Sequence, residues 1–361
     1  MLPFRPYELP IEDKIDNRVF LKELISANRN LVRYEVMLGK ARIDEDLLLG
    51  TLGYKEAHES TKIEGTRATF DDVMKYEIDS KSKDNDLQEI KNYYEALNRG
   101  KSLLARLPIS TRLFKKMHEI LLSNGVRGEY RSPGQYRTSQ NYIGPEGCTK
   151  ETATFVPPEP QLVDKYMSNL EEYINRPEDD LDPLIRVAII HAQFETIHPF
   201  LDGNGRIGRI LIPLYLYDIG LIEAPNLFIS ESLEKDKHKY YRLLNDTRLE
   251  DNWNEWIKFF LKSIDHQTIK NINILEAIED LFQRDLEKAR RVISGHKIKK
   301  VMEYMYYRPI FQVRTLSDLS GVSYSTCKRY LDILEAEKII YSDKSVRNRM
   351  YFYYDLLDIL R

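Results

Sequence analysis

The residues of this chain that could do chemistry crowd into one short run, His198-Pro199-Phe200-Leu201-Asp202-Gly203-Asn204-Gly205-Arg206-Ile207-Gly208-Arg209. Gly203 and Gly205 allow the backbone to approach an anion and turn its N–H groups toward it. The apolar stretch that follows, from Ile207 to Tyr217, reads as a buried helix whose positive N-terminal end faces the same anion. Arg206 and Arg209 stand three residues apart, which puts both on one helical face as forks for phosphate oxygens. His198 is a base available near neutral pH, and Asp202 is a hard oxygen ligand suited to Mg²⁺. Together these groups suit a nucleoside triphosphate. A Gly-Asn-Gly turn capping an ordinary core helix would account for the glycines and leave the charged residues unexplained. A metal site built on His191, Glu195 and His198, at i, i+4 and i+7, is the rival constellation. Against it, Pro199 disturbs the helix at the last ligand, no Cys lies nearby, and both arginines would have no task.

Three further segments carry signals. Gly128 to Val156 holds Pro133, Gly134, Gly144, Pro145 and Gly147 around short Tyr/Thr/Ile stretches, which predicts an irregular β-hairpin. In Ser60-Thr61-Lys62-Ile63-Glu64-Gly65, Ser60 and Glu64 lie one helical turn apart and Gly65 ends the helix. Phe228 to Leu244 carries Tyr240 and Tyr241, with Trp253 and Trp256 beyond, at spacings that serve a core as readily as a planar base.

The run from His198 to Arg209 resembles the signature of the Fic family, His-x-Phe-x-(Asp/Glu)-Gly-Asn-Gly-Arg-x-x-Arg, and fills all eight specified positions in twelve. The resemblance implies protein AMPylation. His198 would be the general base for a Ser, Thr or Tyr hydroxyl that attacks the α-phosphate of ATP. Asp202 would hold Mg²⁺, and the backbone of Gly203 to Gly205, with the Asn204 amide, would cradle the phosphates. Arg206 would meet the β-phosphate and Arg209 the γ-phosphate, with Ile207 and Gly208 completing the nucleotide-binding run. Gly205, where a phosphotransferase branch has Lys, favours nucleotidyl transfer. Gly134 to Gly144, followed by Phe155-Val156-Pro157-Pro158, is similar to the family's flap, which pairs with an extended target segment. Ile143 and Gly144 would cover the nucleotide, and Tyr240 and Tyr241 would lie near adenine. Ser60 to Gly65 resembles the inhibitory motif (Ser/Thr)-x-x-x-Glu-(Gly/Asn). It implies that Glu64 pairs with Arg209 and misaligns ATP. The alternative functions are a transcriptional regulator with a nucleotide-sensing Fic core, de-AMPylation, and transfer of another phosphate group. Self-modification and a homodimer are compatible with the sequence.

The elements that must position these residues are mostly helical. Apolar residues at three-and-four spacing predict helices over 16–39, 46–62, 69–79, 86–104, 110–123, 161–175 and 182–197, then a long polar helix over 265–291. The tail reads as helix 297–306, short helix 316–319, a Gly321-Val322 turn, a second helix to Glu337, and strands 339–342 and 350–353. That order resembles a winged helix-turn-helix. Residues 290–361 carry 14 Lys/Arg less 8 Asp/Glu, a balance of +6. Tyr324, Lys328 and Arg329 on the second helix, with Lys344, Arg347 and Arg349 in the wing, could contact DNA, although such modules also dock proteins. The expected fold is therefore mainly α, a Fic-type helical core with a small β-hairpin flap plus a C-terminal winged helix-turn-helix. The expected domains are 1–110 (N-terminal helices with the inhibitory segment), 111–265 (Fic core), 266–295 (linking helix) and 296–361 (winged helix).

Length and composition agree with this plan. The 361 residues suit about two or three domains, and 42% apolar residues support a sizeable core. A net charge of −3 gives no global pull toward nucleic acid or membrane. Only Cys148 and Cys327 occur, far apart, and the N-terminus lacks an apolar leader. No apolar run approaches the roughly 18 residues of a bilayer span. A cytoplasmic protein without a membrane partner is expected.

Overall fold

The computed structural model describes all residues except 1, 77, 79–83, 146 and 178–180. Its centre is a pair of helices, α7 (Pro183–Ile197) and α8 (Asn204–Asp218). Fourteen of the residues of α7 are buried, so this helix is covered on every face and sits inside the bundle. Asp182 caps its start by accepting the Leu184 N–H at 2.8 Å, with Pro183 in the first turn. Around the pair lie α4 (Asn85–Leu104), α5 (Thr111–Leu121), α6 (Val163–Ile174) and α10 (Lys237–Leu249). The short α9 (Ser230–Lys235) precedes α10. The predicted helix over 69–79 appears as α3 (Phe70–Tyr76), its expected end lying outside the described residues.

Helix α2 (Glu45–Ile63) packs against α4, α8 and α9 and carries the Ser60-to-Gly65 segment. Its C-terminal turn is tightly specified. The Thr66 N–H donates to the Thr61 carbonyl at 3.2 Å and the Gly65 N–H to the Lys62 carbonyl at 3.0 Å, while Gly65 has φ 101°. That is the Schellman closure, which needs a left-handed residue after the cap. Glu64 is the cap residue itself.

Two expectations about layout need correction. The long helix does not begin near 265: α11 runs unbroken from Trp253 to Val292, so the limit drawn at 265 falls inside one helix. Its first half, with Trp253, Trp256 and Phe260, is core, and it packs against α1 (Leu21–Leu38). Among the described residues, the irregular hairpin over 128–156 shrinks to a single antiparallel bridge between Ile143 and Phe155. The glycines and prolines that suggested its turns also prevent a longer ladder.

The tail folds as α12 (Ile298–Tyr307), β1 (Ile310–Gln312), α13 (Val313–Ser320), α14 (Tyr324–Ala336), β2 (Tyr341–Ser342), β3 (Met350–Phe352) and α15 (Tyr354–Leu360). The strands form an antiparallel sheet in the order β1-β3-β2, pairing Phe311 with Tyr351 and Tyr341 with Phe352. This arrangement is compatible with a winged helix. The sequence reading missed β1 and α15, both too short to show a period. The tail is not a separate bead: Thr51 Oγ1 on α2 donates to the Tyr306 carbonyl at 2.8 Å, and the Arg308 guanidinium lies 4.7 Å from the Tyr54 ring centre. No helix among the described residues is long and apolar enough to cross a membrane.

Candidate active site

The turn between α7 and α8 exposes the N-terminal end of α8. α7 ends at His198, whose φ of 50° and ψ of 61° are left-handed, and α8 is entered through Gly203 at φ 77°. A left-handed non-glycine residue costs energy and persists where its surroundings hold it. Arg137, itself 2% exposed, does the holding. Its Nε donates to the His198 carbonyl at 2.8 Å and its N–H to the Pro199 carbonyl at 2.9 Å. The Asn141 amide adds a bond to the Phe200 carbonyl at 2.8 Å. The N–H groups of the first α8 turn, from Asn204 to Arg206, precede the first helix carbonyl and have no partner within the helix. They form the positive end expected from the sequence.

Asn204 departs from expectation. Its Oδ1 accepts the Phe200 N–H at 2.8 Å and its Nδ2 donates to the Phe200 carbonyl at 2.9 Å. The amide therefore closes the loop on itself through its oxygen and one of its N–H groups. Ile207 and Gly208 face the core. The Ile207 side chain is core, and its N–H donates to the Gly203 carbonyl at 3.1 Å. Gly208 is a packing position, because a Cβ there would lie 2.5 Å from Glu195 Oε1.

Nor do the two arginines act as a matched pair. Arg206, 1% exposed, bonds Glu89 of α4 at 3.3 Å and Asp202 at 3.1 Å. Arg209 turns to α2 instead. Its Nε donates to Ser60 Oγ at 2.8 Å, and its Nη2 donates to the Ser60 carbonyl at 3.0 Å and to Glu64 Oε1 at 2.6 Å. Burial alone would raise the Glu64 carboxyl, but the charge and hydrogen bond of Arg209 outweigh it and hold it below the ordinary value. Gly205 makes this approach feasible, since a Cβ there would stand 2.4 Å from Glu64 Oε1.

Asp202 is about one-third exposed, and its Oδ1 accepts the Gly203 N–H at 2.6 Å as well as Arg206. No group of three or more His, Cys, Asp or Glu that could hold a metal exists among the described residues. One partly exposed carboxylate fits a cation held mainly by phosphate oxygens, not an all-protein metal site. The rival His191–Glu195–His198 metal set fares worse. His191 is fully buried, with Nδ1 3.0 Å from the Gly208 carbonyl and Nε2 2.9 Å from the Tyr240 hydroxyl. Burial holds it neutral, its pKa pushed down to about 3.

That bond fixes the place of Tyr240. It is 1% exposed beside Trp256 and serves the core, whereas Tyr241 is 41% exposed and offers a face. Ile143 and Gly144 sit at the flap bridge, where Ile143 accepts from both Thr154 and Phe155. His118, invisible to sequence reasoning, supports the loop from α5. It accepts the Gly134 N–H at Nδ1 (2.9 Å), so Nε2–H donates to the Asp202 carbonyl at 2.9 Å, and its ring stacks on Phe200 at 3.8 Å. Glu89, Arg137 and Arg248, the last donating to Thr196 Oγ1 at 3.0 Å, were likewise missed, because only the fold brings them to the loop.

A left-handed histidine, a helix N-terminus and a buried arginine are gathered on two consecutive core helices of a mainly helical protein. Its family follows from direct matches. Residues 108–216 match the Fic/DOC family model and residues 21–102 its N-terminal model, and the chain belongs to the Fic/DOC family. It is 27% identical over 167 residues to the protein adenylyltransferase Fic of Nematostella vectensis, covering 46% of this chain and 34% of that protein. It is 32% identical over 106 residues to protein adenylyltransferase fic-1 of Caenorhabditis elegans, covering 29% of this chain and 18% of that one. The chain thus spans about a third or less of these curated relatives. Among solved structures, a Fic family protein from Desulfovibrio desulfuricans G20 aligns over 98% of both chains with a TM-score of 0.60 at 18% identity. A fragment of C. elegans Fic-1 aligns over 72% of this chain and 74% of its own with a TM-score of 0.53 at 21% identity. At these identities the likeness is one of fold.

Proposed function

We propose that the chain is a protein adenylyltransferase that moves AMP from ATP to a hydroxyl side chain of a target protein and is held in check by Glu64. The observation that carries the reading is the meeting of His198, Asp202 and the bare N–H turn of α8 at one loop, with Arg209 adjacent and already engaged by Glu64. Relatives named protein adenylyltransferases support the same chemistry.

ATP phosphates would lie against the N–H groups of Asn204 to Arg206, where the helix end favours negative charge. The target hydroxyl, on a segment along the 128–156 flap, attacks the α-phosphorus in line. The P–O bond to the β-phosphate breaks and pyrophosphate leaves, while the hydroxyl proton passes to His198. Asp202 would share Mg²⁺ with the phosphates, and that ion supplies charge withdrawal from the leaving pyrophosphate. Glu64 occupies the Arg209 fork that a γ-phosphate would use, and it sets a carboxylate against that phosphate. ATP then binds with its α-phosphate out of line.

Incubation with ATP labelled at the α- or the γ-phosphate tests the reading. Label from the α-position alone, with a +AMP adduct in the mass spectrum and none after His198→Ala, is the expected result. Label from the γ-position, or equal labelling by His198→Ala, overturns it.

A further inference from the structure

At the end of α7 the His198 ring and the Glu195 carboxyl lie side by side. Glu195 Oε1 has no hydrogen-bond partner and His198 Nδ1 makes no close one; Nδ1 stands 3.9 Å from Glu195 Oε2, with the Glu195 backbone carbonyl also acting on the ring. The Glu195 residue is 7% exposed. A buried carboxyl with so little satisfaction destabilises a fold, so packing alone gives no reason for Glu at this position. The surroundings nevertheless make room for it, since Gly208 lacks the Cβ that would stand 2.5 Å from Oε1. Arg137 pins the His198 carbonyl, so the backbone is fixed and ring rotation is the remaining freedom. The left-handed turn at His198 leaves its ring beside the carboxyl of Glu195, on the last turn of α7.

We propose that Glu195 is the positioning residue of the His198 base, its carboxylate taking the Nδ1–H so that Nε2 is left to receive the hydroxyl proton. The inference rests on the adenylyl-transfer reading for the source of that proton and on geometry alone for the pairing. In the step, the target O–H bond breaks, an N–H bond forms at Nε2, and the oxygen electron pair goes to the α-phosphorus. Glu195 takes no proton; its negative charge balances the imidazolium. The groups facing it are Arg209 from α8, Glu64 from α2, and Arg248, Tyr240 and Tyr241 from α10. Burial pushes the Glu195 carboxyl up to about 7; Arg209 and Arg248 act downward and Glu64 upward.

The test uses the full chain carrying Glu64→Gly, with Glu195→Gln and Glu195→Met added separately. Nitrogen-15 NMR of labelled histidines, with His198 assigned by its loss in His198→Ala, reads the tautomer whether or not AMP is transferred. The expected spectrum has the Nδ1–H form dominant in the parent and the Nε2–H form increased several-fold in Glu195→Met. Both variants should lower kcat for AMP transfer at least tenfold, leave KM for ATP within twofold, and shift the acid limb of the kcat–pH profile. Glu195→Gln, which preserves volume and a hydrogen-bonding oxygen, keeps the fold and separates lost charge from lost packing. An unchanged tautomer in Glu195→Met, or kcat within twofold in both variants, overturns the proposal. A parent that transfers no AMP sinks the adenylyl-transfer reading instead, and the tautomer still decides the Glu195 pairing.

Discussion

Replacing Glu64 by Gly should raise activity and lower stability at once, and the contacts of Arg209 set the size of both effects. The substitution removes the 2.6 Å bond from Arg209 Nη2 and leaves the two bonds to Ser60. Arg209 is 1% exposed at its side chain, whereas Glu64 is 29% exposed, so the pair lies between a surface bridge and a fully buried one. Exposed pairs contribute about 0.2–1 kcal/mol, and breaking a buried pair costs about 3–5 kcal/mol. An intermediate value of about 1.5–3 kcal/mol is what a γ-phosphate must overcome to reach Arg209. At roughly 1.4 kcal/mol per decade, AMP transfer should rise about ten- to a hundredfold. The melting temperature should fall, because a buried guanidinium loses the carboxylate bonded to it. ATP should restore more of that loss in the variant than in the wild type.

The pH dependence follows from the same pair. The Glu64 carboxyl is held below its ordinary value, so the stabilisation is present above the unfolded pKa, about 4.3. It is lost only as pH falls through the still lower folded value. Acidifying the wild type from pH 8 to pH 5.5 should therefore not mimic the substitution. Labelling with α-phosphate-labelled ATP, at several pH values, reads all of this. Equal labelling of wild type and variant, or a wild type switched on at pH 5.5, would refute the reasoning.

Three further outcomes are expected. Asp202→Ala should abolish the extra thermal stabilisation that Mg²⁺ adds to ATP, and a melting shift that still depends on Mg²⁺ would remove Asp202 from that role. Gly50→Ala should destabilise by about 1–3 kcal/mol, because its Cβ would meet the Tyr307 ring at 2.3 Å. A urea midpoint unchanged or raised, as for a glycine in a free helix, would contradict that packing. Glu56 is buried, which pushes its carboxyl up to about 7 against bonds from Ser230 and Tyr93. A raised acid stabilises below its unfolded pKa and loses that contribution as pH climbs to the folded value. Between pH 4.5 and 7, wild-type stability should accordingly fall by up to about 1.4 kcal/mol per pH unit relative to Glu56→Gln. Parallel stability curves for the two proteins would rule this out.

The sequence by itself determined the loop and its helices. Glycine at 203 and 205, proline at 183 and 199, and the continuous apolar faces of α7 and α8 act locally, through backbone freedom, capping and burial. Those effects are readable without knowing what lies across the core. The end of α2 was legible for the same reason, since a Schellman closure needs a left-handed glycine where Gly65 stands. What lies across the core was decided only by tertiary structure. Spacing put Arg206 and Arg209 on one face, but the packing of α4 and α2 sends one to Glu89 and the other to Ser60 and Glu64. Asn204 turned inward because the loop needed its amide, and Tyr240 because His191 needed a donor. Arg137, His118 and Glu195 gained their places from contacts far apart in the chain or from a ring's orientation, which no local pattern encodes. A side chain's type and period follow from the sequence, but its partner depends on which element the fold sets opposite it.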